Sequence, residues 1–342
     1  MENNMNYTYG APQTPLNNGA GLYAPPVQKK KDIPGMLLLV ISAIVGSLPD
    51  SLGTTAVNML LSFFSEVENI SVLSTALQSA VDSVGCIFLM AIVGGAGYLW
   101  SKSLRGALKF LACWKAATLL SNAAGNILFG IVWMIFGKNI NATMGIILSA
   151  VSYVSIAFEI AFLCLFFAFF ERLEKKELSK IIPVPFAYEG FAPIPEKKSF
   201  NILNTVITVA ATSVISYLIS LSVLPLVGKL LSHSSYMYSA VQYFTGSGNK
   251  ILTLLCLVGL SFLLTKSAKS AVSICGVYAL SNLLAGAVTA FSRFVFILIT
   301  GSFTSGAYVT FNFVLNICGI ILTAVIAVLA VSLLSKKKDF AQ

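Results

Sequence analysis

Charge is scarce in this chain. Only 10% of its residues are Asp, Glu, Lys or Arg, against about a quarter in an ordinary soluble domain, whereas 57% are hydrophobic. Histidine is scarcer still, and the single His233 cannot supply a multi-histidine metal site. The cysteines Cys86, Cys113, Cys164, Cys256, Cys275 and Cys318 all fall inside apolar stretches and form no CxxC pair. They read as small packing residues and support neither a disulfide framework nor a metal centre. HExxH and GxSxG signatures are missing, and no Walker pattern follows Gly94, Gly95 and Gly97. The chain therefore reads as a non-enzyme with no metal and no other cofactor.

Apolar segments fill the space that charge leaves, and they recur well beyond the roughly 18–20 residues that cross a bilayer. The sequence predicts an all-α integral membrane protein with eight transmembrane helices near 35–64, 72–100, 106–136, 145–171, 201–228, 250–264, 270–299 and 308–334. Residues 1–32, rich in Asn, Pro, Gly and Tyr, lack the apolar mass to fold and read as a disordered cytoplasmic tail. No signal-cleavage pattern follows the first apolar segment, which is read as a retained span.

The net charge of +9 does not imply a nucleic-acid partner, because of where the cations lie. With the amino terminus inside, sixteen of the 22 Lys and Arg fall on the cytoplasmic side, in clusters such as Lys29-Lys30-Lys31 and Lys336-Lys337-Lys338. That is positive-inside asymmetry, and eight spans return both termini to the cytoplasm. The expectation is a multi-pass plasma-membrane protein whose constant partner is the lipid bilayer. Lys109 is expected to snorkel to the cytoplasmic interface and Arg293 to anchor at the outer one.

An internal likeness organises the spans. Trp100-Ser101-Lys102-Ser103-Leu104-Arg105-Gly106-Ala107 returns 164 positions later as Leu264-Thr265-Lys266-Ser267-Ala268-Lys269-Ser270-Ala271. Basic clusters close the next pair of apolar runs at Glu174-Lys175-Lys176 and Ser335-Lys336-Lys337. The implied organisation is two parallel four-helix repeats, residues 33–172 and 200–335. They are joined by a cytoplasmic loop at 173–199 and followed by a basic tail at 336–342. Four spans per unit give both the same direction, as about an axis along the membrane normal. Pro183, Pro185, Pro193 and Pro195 exclude a continuous helix across the joining loop, whose Ile181–Pro195 stretch lies against helix ends or docks a partner.

The likeness also exposes a difference. Matching the loops pairs Lys115 with Ala279 and Asp82 with Gly246. Matching Gly145 with Gly306 pairs Glu159 with Ile320, and matching Leu48-Pro49 with Leu224-Pro225 pairs Asp50 with Leu226. Four charges within the first unit thus have uncharged counterparts in the second. Helical spacing gives them polar company: Lys115, Thr118, Asn122 and Asn126 share one face, as do Ser152, Ser155 and Glu159. Counted from the cytoplasmic ends, Lys115 and Glu159 stand at about 14 and 18 Å, and Asp50 and Asp82 at about 22 and 27 Å.

These residues suit two kinds of work. Asp50, Asp82, Lys115, Glu159, Asn122, Asn126 and Ser155 could line a path for a small solute, cation or proton, with Lys115 and Glu159 as a switchable ion pair. Equally, a buried pair may only pin helices together. Asn312, Asn316, Gly319 and Thr323 share a face of the last span and, with Asn282, read as interhelical hydrogen-bonding groups. The alternative to a transporter is a non-transporting membrane partner, for assembly, sensing or immunity. Its best outer surface is Ser232–Asn249, which carries Tyr236, Tyr238, Tyr243 and Phe244. Asn141-Ala142-Thr143 matches a glycosylation acceptor, a pattern common by chance.

The orientation is directly checkable. Fluorescent-protein fusions after residues 102, 175 and 266 should glow, and phosphatase fusions there should be inactive, with the opposite result after residues 138 and 302. Reversed signals would invert the assignment.

Overall fold

A computed structural model describes residues 33–63, 70–137, 142–181, 202–230, 235–301 and 306–335. Side chains are described for these residues except 142–145, 176–181, 220–230 and 235–236. Both tails, His233, Asn141 and residues 182–195 of the joining loop lie outside the described residues.

Backbone N–H and C=O groups in lipid find no water, so long apolar segments satisfy them internally as helices. Among the described residues there are eight: α1 (Ile33–Phe63), α2 (Ile70–Ser101), α3 (Leu104–Phe136), α4 (Ala142–Ile181), α5 (Ile202–Leu230), α6 (Ser235–Thr265), α7 (Ala268–Thr300) and α8 (Gly306–Ser335). Each is long and apolar enough to cross a membrane, and the eight together point to a polytopic membrane protein. At about 1.5 Å per residue, every helix outreaches the ~30 Å hydrocarbon layer. Large apolar side chains such as Phe63, Ile146, Tyr153, Leu263 and Ile299 face outward. That surface suits lipid, not water.

The core is built on α3 and α7. From Leu108 to Ala117 nearly every α3 side chain is buried, and α7 is enclosed from Ala268 to Ala279. The helices pack on each other; α3 also contacts α2, α4 and α6, while α7 contacts α2, α6 and α8. Gly276 makes their approach possible, because a Cβ there would run into the Leu108 carbonyl on α3. Around this centre α1 packs mainly on α2, and α5 on α6 and α8.

The two basic loops have one conformation. Lys102 (φ 54°) and Lys266 (φ 52°) both take the left-handed region. Their amides donate to Tyr98 O at 2.7 Å and Phe262 O at 2.9 Å, closing α2 and α6. Ser103 and Ser267 then cap α3 and α7, accepting from Gly106 N at 3.2 Å and Ser270 N at 3.4 Å. Behind each cap, the Ser101 or Thr265 hydroxyl accepts from the capping residue's own amide, at 3.3 and 3.4 Å.

A second matched pair crosses the bundle. Ser83 on α2 donates to the Ala287 carbonyl of α7 at 2.8 Å, and Ser247 on α6 donates to the Ala123 carbonyl of α3. Donors and acceptors are each offset by the same 164 positions as the loops. In each case a buried serine reaches a backbone carbonyl whose second lone pair the helix leaves free.

Two helices differ from the sequence expectation. α6 begins at Ser235, not 250, so most of the expected outer loop is helix. Gly246, Ser247, Gly248 and Asn249 lower the local hydropathy, but two of them face α3: Ser247 bonds its backbone, and Asn126 sits over Gly246. Tyr243 stacks on Phe129 with ring centres 5.4 Å apart, and Phe244 lies against Gly130. These two aromatic groups pack α6 on α3 and are not free to form a docking surface. α4 also runs past 171 to Ile181, two residues short of Pro183. Pro49 does not break α1, which continues to Phe63.

The central crossing predicts a contrast between glycines. Gly276→Ala should lower stability by about 1–3 kcal/mol, because the new methyl meets backbone. Gly259→Ala, where a Cβ would meet nothing within 4 Å, should leave it unchanged or slightly raised. The monodisperse fraction surviving a heating series in detergent measures both, and equal survival would contradict the crossing.

Candidate functional site

A cavity of about 480 Å³ lies among α2, α3, α5, α7 and α8. Ser213, Ser216 and Tyr217 of α5 line it at i, i+3 and i+4. From α7 come Tyr278, Asn282, Leu283, Ala285, Gly286 and Thr289, and from α8 Asn316, Gly319, Ile320 and Thr323. The other helices contribute one side chain each, Cys86 from α2 and Lys115 from α3. Small residues open the space: a Cβ on Gly286 would stand 3.5 Å from Cys86 Sγ, and one on Gly319 3.2 Å from Thr289.

Lys115 supplies the charge. Its Nζ donates to Asn282 Oδ1 at 2.6 Å and lies 5.8 and 5.9 Å from the ring centres of Trp114 and Tyr278. Two aromatic faces at that range attract a cation weakly. Among the described residues no carboxylate lies within ion-pairing distance of it. Among the described residues, this ammonium is thus held by an amide oxygen and two rings.

The expected Lys115–Glu159 pair is therefore not formed. Lys115 and Thr118 stand one turn apart on α3, yet Thr118 donates to Glu159 Oε1 of α4 at 3.1 Å while Lys115 turns to α7. The reason is that α3 sits between α4 and α7, so neighbouring positions on its polar side serve different helices.

The remaining candidates lie elsewhere. Asn122 is exposed, and Asn126 packs over Gly246 of α6. Ser155 donates to Val151 O at 3.0 Å, and its carbonyl accepts from Ser121 Oγ at 2.8 Å, which fastens α3 to α4. Asp50 and Asp82 form a separate cluster on α1 and α2. Gln78 Nε2 donates both to Asp82 Oδ1 at 3.0 Å and to Thr54 Oγ1 at 2.9 Å. Asp50 is exposed, crosses α2 at Gly85, and feels the Asp82 charge. Asp82 stands one turn from the cavity-lining Cys86 on the same face of α2, and both acid charges act on that thiol, so the acid pair borders the cavity without lining it.

Two expected interfacial cations are tied down. Lys109 is buried and donates to Glu171 at 2.5 Å and Glu174 at 2.9 Å, with Lys175 also on Glu171 at 2.7 Å. It binds α3 to the extension of α4 that the sequence reading cut short, and so does not snorkel. Arg293 Nε donates to Asn312 Oδ1 at 2.9 Å, joining α7 to α8.

Most of the cavity's polar lining was read as helix glue or passed over. The signal was present as stripes: Ser213, Ser216 and Tyr217 on α5, Asn282, Gly286 and Thr289 on α7, and Asn316, Gly319 and Thr323 on α8. Comparison with protein-family models, with curated proteins and with solved structures gives no match.

The two lysines should behave oppositely. Lys109→Met takes from Glu174 its partner and leaves Glu171 to Lys175 alone, and should cost about 2–3 kcal/mol, somewhat below the penalty for a fully buried pair. Lys115→Met forfeits one hydrogen bond but removes an uncompensated charge, and should leave stability within about 1 kcal/mol. Thermal survival in detergent compares them, and a larger loss for Lys115→Met would make that residue structural.

Proposed function

We propose that this protein is a carrier for a small solute, formed from two four-helix units, with the cavity around Lys115 as its binding site. The single observation that carries the reading is a polar chamber at membrane depth holding a cation without a carboxylate partner among the described residues. Intramembrane ionisable groups are expensive, and structural ones normally find a partner. Lys109 meets that description; Lys115 does not.

The matched loops and crossed serine bonds support the duplication. They relate α2–α7 contact to α6–α3 contact, as a two-fold axis along the membrane normal does. On this reading the units enter a plasma membrane in the same direction, with both termini cytoplasmic. The binding site is then asymmetric. Lys115 belongs to the first unit but serves a chamber of the second, and its counterpart Ala279 has no charge to return. An occupant that neutralised Lys115 would favour the packing that encloses it, and its departure would favour another. Asp50 and Asp82 are the candidate proton or cation groups, coupled to the chamber through α2.

A carrier's site must meet water on each side in turn. Asn316→Cys should react with a membrane-impermeant maleimide in right-side-out and in inverted vesicles alike, read by peptide mass spectrometry. Reaction from one side alone would favour the sensor or partner reading. Reaction from neither would refute a solute site.

A further inference from the structure

Resting on the carrier reading, we infer that the cavity around Lys115 takes a small monocarboxylate, with the ammonium and the free hydrogen-bond donors on its carboxylate and the apolar lining on its carbon chain.

The donor inventory decides the sign of the charge. Among the described residues no Asp or Glu lines the cavity, so an ammonium or other cationic group would find no counter-charge in that lining and would meet Lys115. Asn282 gives its oxygen to Lys115 Nζ, which leaves the Asn282 amide N–H groups to point at an acceptor. Tyr217 also lines the cavity, and its hydroxyl is buried with no hydrogen-bond partner among the described residues. A buried hydroxyl of that kind normally has a partner. Asn316 supplies a further amide from α8. Thr289 and Thr323 commit their hydroxyl protons to Gly286 O and Gly319 O, at 3.0 and 2.8 Å, and contribute little donation. Ser213 bonds the Tyr278 hydroxyl and Ser216 is also engaged, so the donors open to an occupant come mainly from Lys115, Asn282, Asn316 and Tyr217, a set suited to the oxygens of one carboxylate.

The number of charges and the volume narrow the class. One cation lines the site, which balances one negative charge and not two. A cavity of 480 Å³ is many times a halide or a water, and so has room for a carbon chain beside the charged group. Leu283, Ala285 and Ile320 offer that chain an apolar wall. Lys250 on α6 reinforces the preference from a distance, since its charge acts on Lys115 with the same sign. Asp82 and Asp50 oppose it, and both act on Cys86 from outside the lining.

Cys86 is a built-in reporter, because it lines the chamber that contains Lys115. Full-length protein in nanodiscs is treated with an anionic or a cationic methanethiosulfonate, and modification of Cys86 is timed by peptide mass spectrometry. The anionic-to-cationic rate ratio should fall about tenfold in Lys115→Gln and return in Lys115→Arg. In the unmutated protein, millimolar butyrate should slow the anionic reagent at Cys86 several-fold, while butylammonium should not. This second comparison needs no variant and so survives any folding defect in Lys115→Gln. If Cys86 reacts but the ratio ignores Lys115, or butylammonium protects as well as butyrate, the carboxylate assignment is overturned and the carrier reading stands. If neither reagent reaches Cys86, the chamber is closed to water and both fall.

Discussion

Everything in this bundle depends on how closely α3 and α7 approach. Gly276 lets α7 meet the α3 backbone at Leu108, where any side chain would hold them apart. Both helices are buried around that contact, and each also receives a serine hydroxyl from a neighbour, Ser83 of α2 on α7 and Ser247 of α6 on α3. Lys115 depends on the contact too, since its ammonium reaches Asn282 only because α7 is close. In lipid, where apolar association supplies little drive between helices, such close backbone contact and hydrogen bonding hold the bundle together.

On the two-unit reading proposed above, the asymmetry in charge takes a specific form. A charge found in one and missing from the other suggests a site within the charged unit. The geometry is less direct: α3 lends its lysine to a space bounded mainly by α5, α7 and α8. Glu159, by contrast, stays within its own unit on Thr118. The charged residues of the first unit are therefore not one constellation but three, around Lys115, around Glu159 and around the Asp50–Asp82 pair.

Span positions were legible because a twenty-residue apolar requirement leaves few placements. Seven helix starts match the expectation within a few residues, and α6 fails for a local reason. Gly246, Ser247, Gly248 and Asn249 look like loop residues by composition, yet Gly246 and Ser247 are the small and polar groups that the contact with α3 needs. The candidate site was less legible. Periodicity shows that Lys115 and Thr118 share a face, but that face spans two neighbours, and only the packing order says which residue meets which helix. The lining of α5 and α8 was visible as stripes, but without knowing that they converge with α7 it could not be told from ordinary helix contacts.

Lys102 and Lys266 hold a backbone shape that asparagine or glycine adopts with less strain. A residue with a branch at Cα loses on the order of 1 kcal/mol there. At both turns the chain nevertheless carries a cation, on the side of the bundle where its basic residues gather. Under the proposed orientation, with these loops cytoplasmic, conformational ease and the electrical cue for insertion compete at a single residue, twice, and a turn optimised for folding alone would surrender part of that cue.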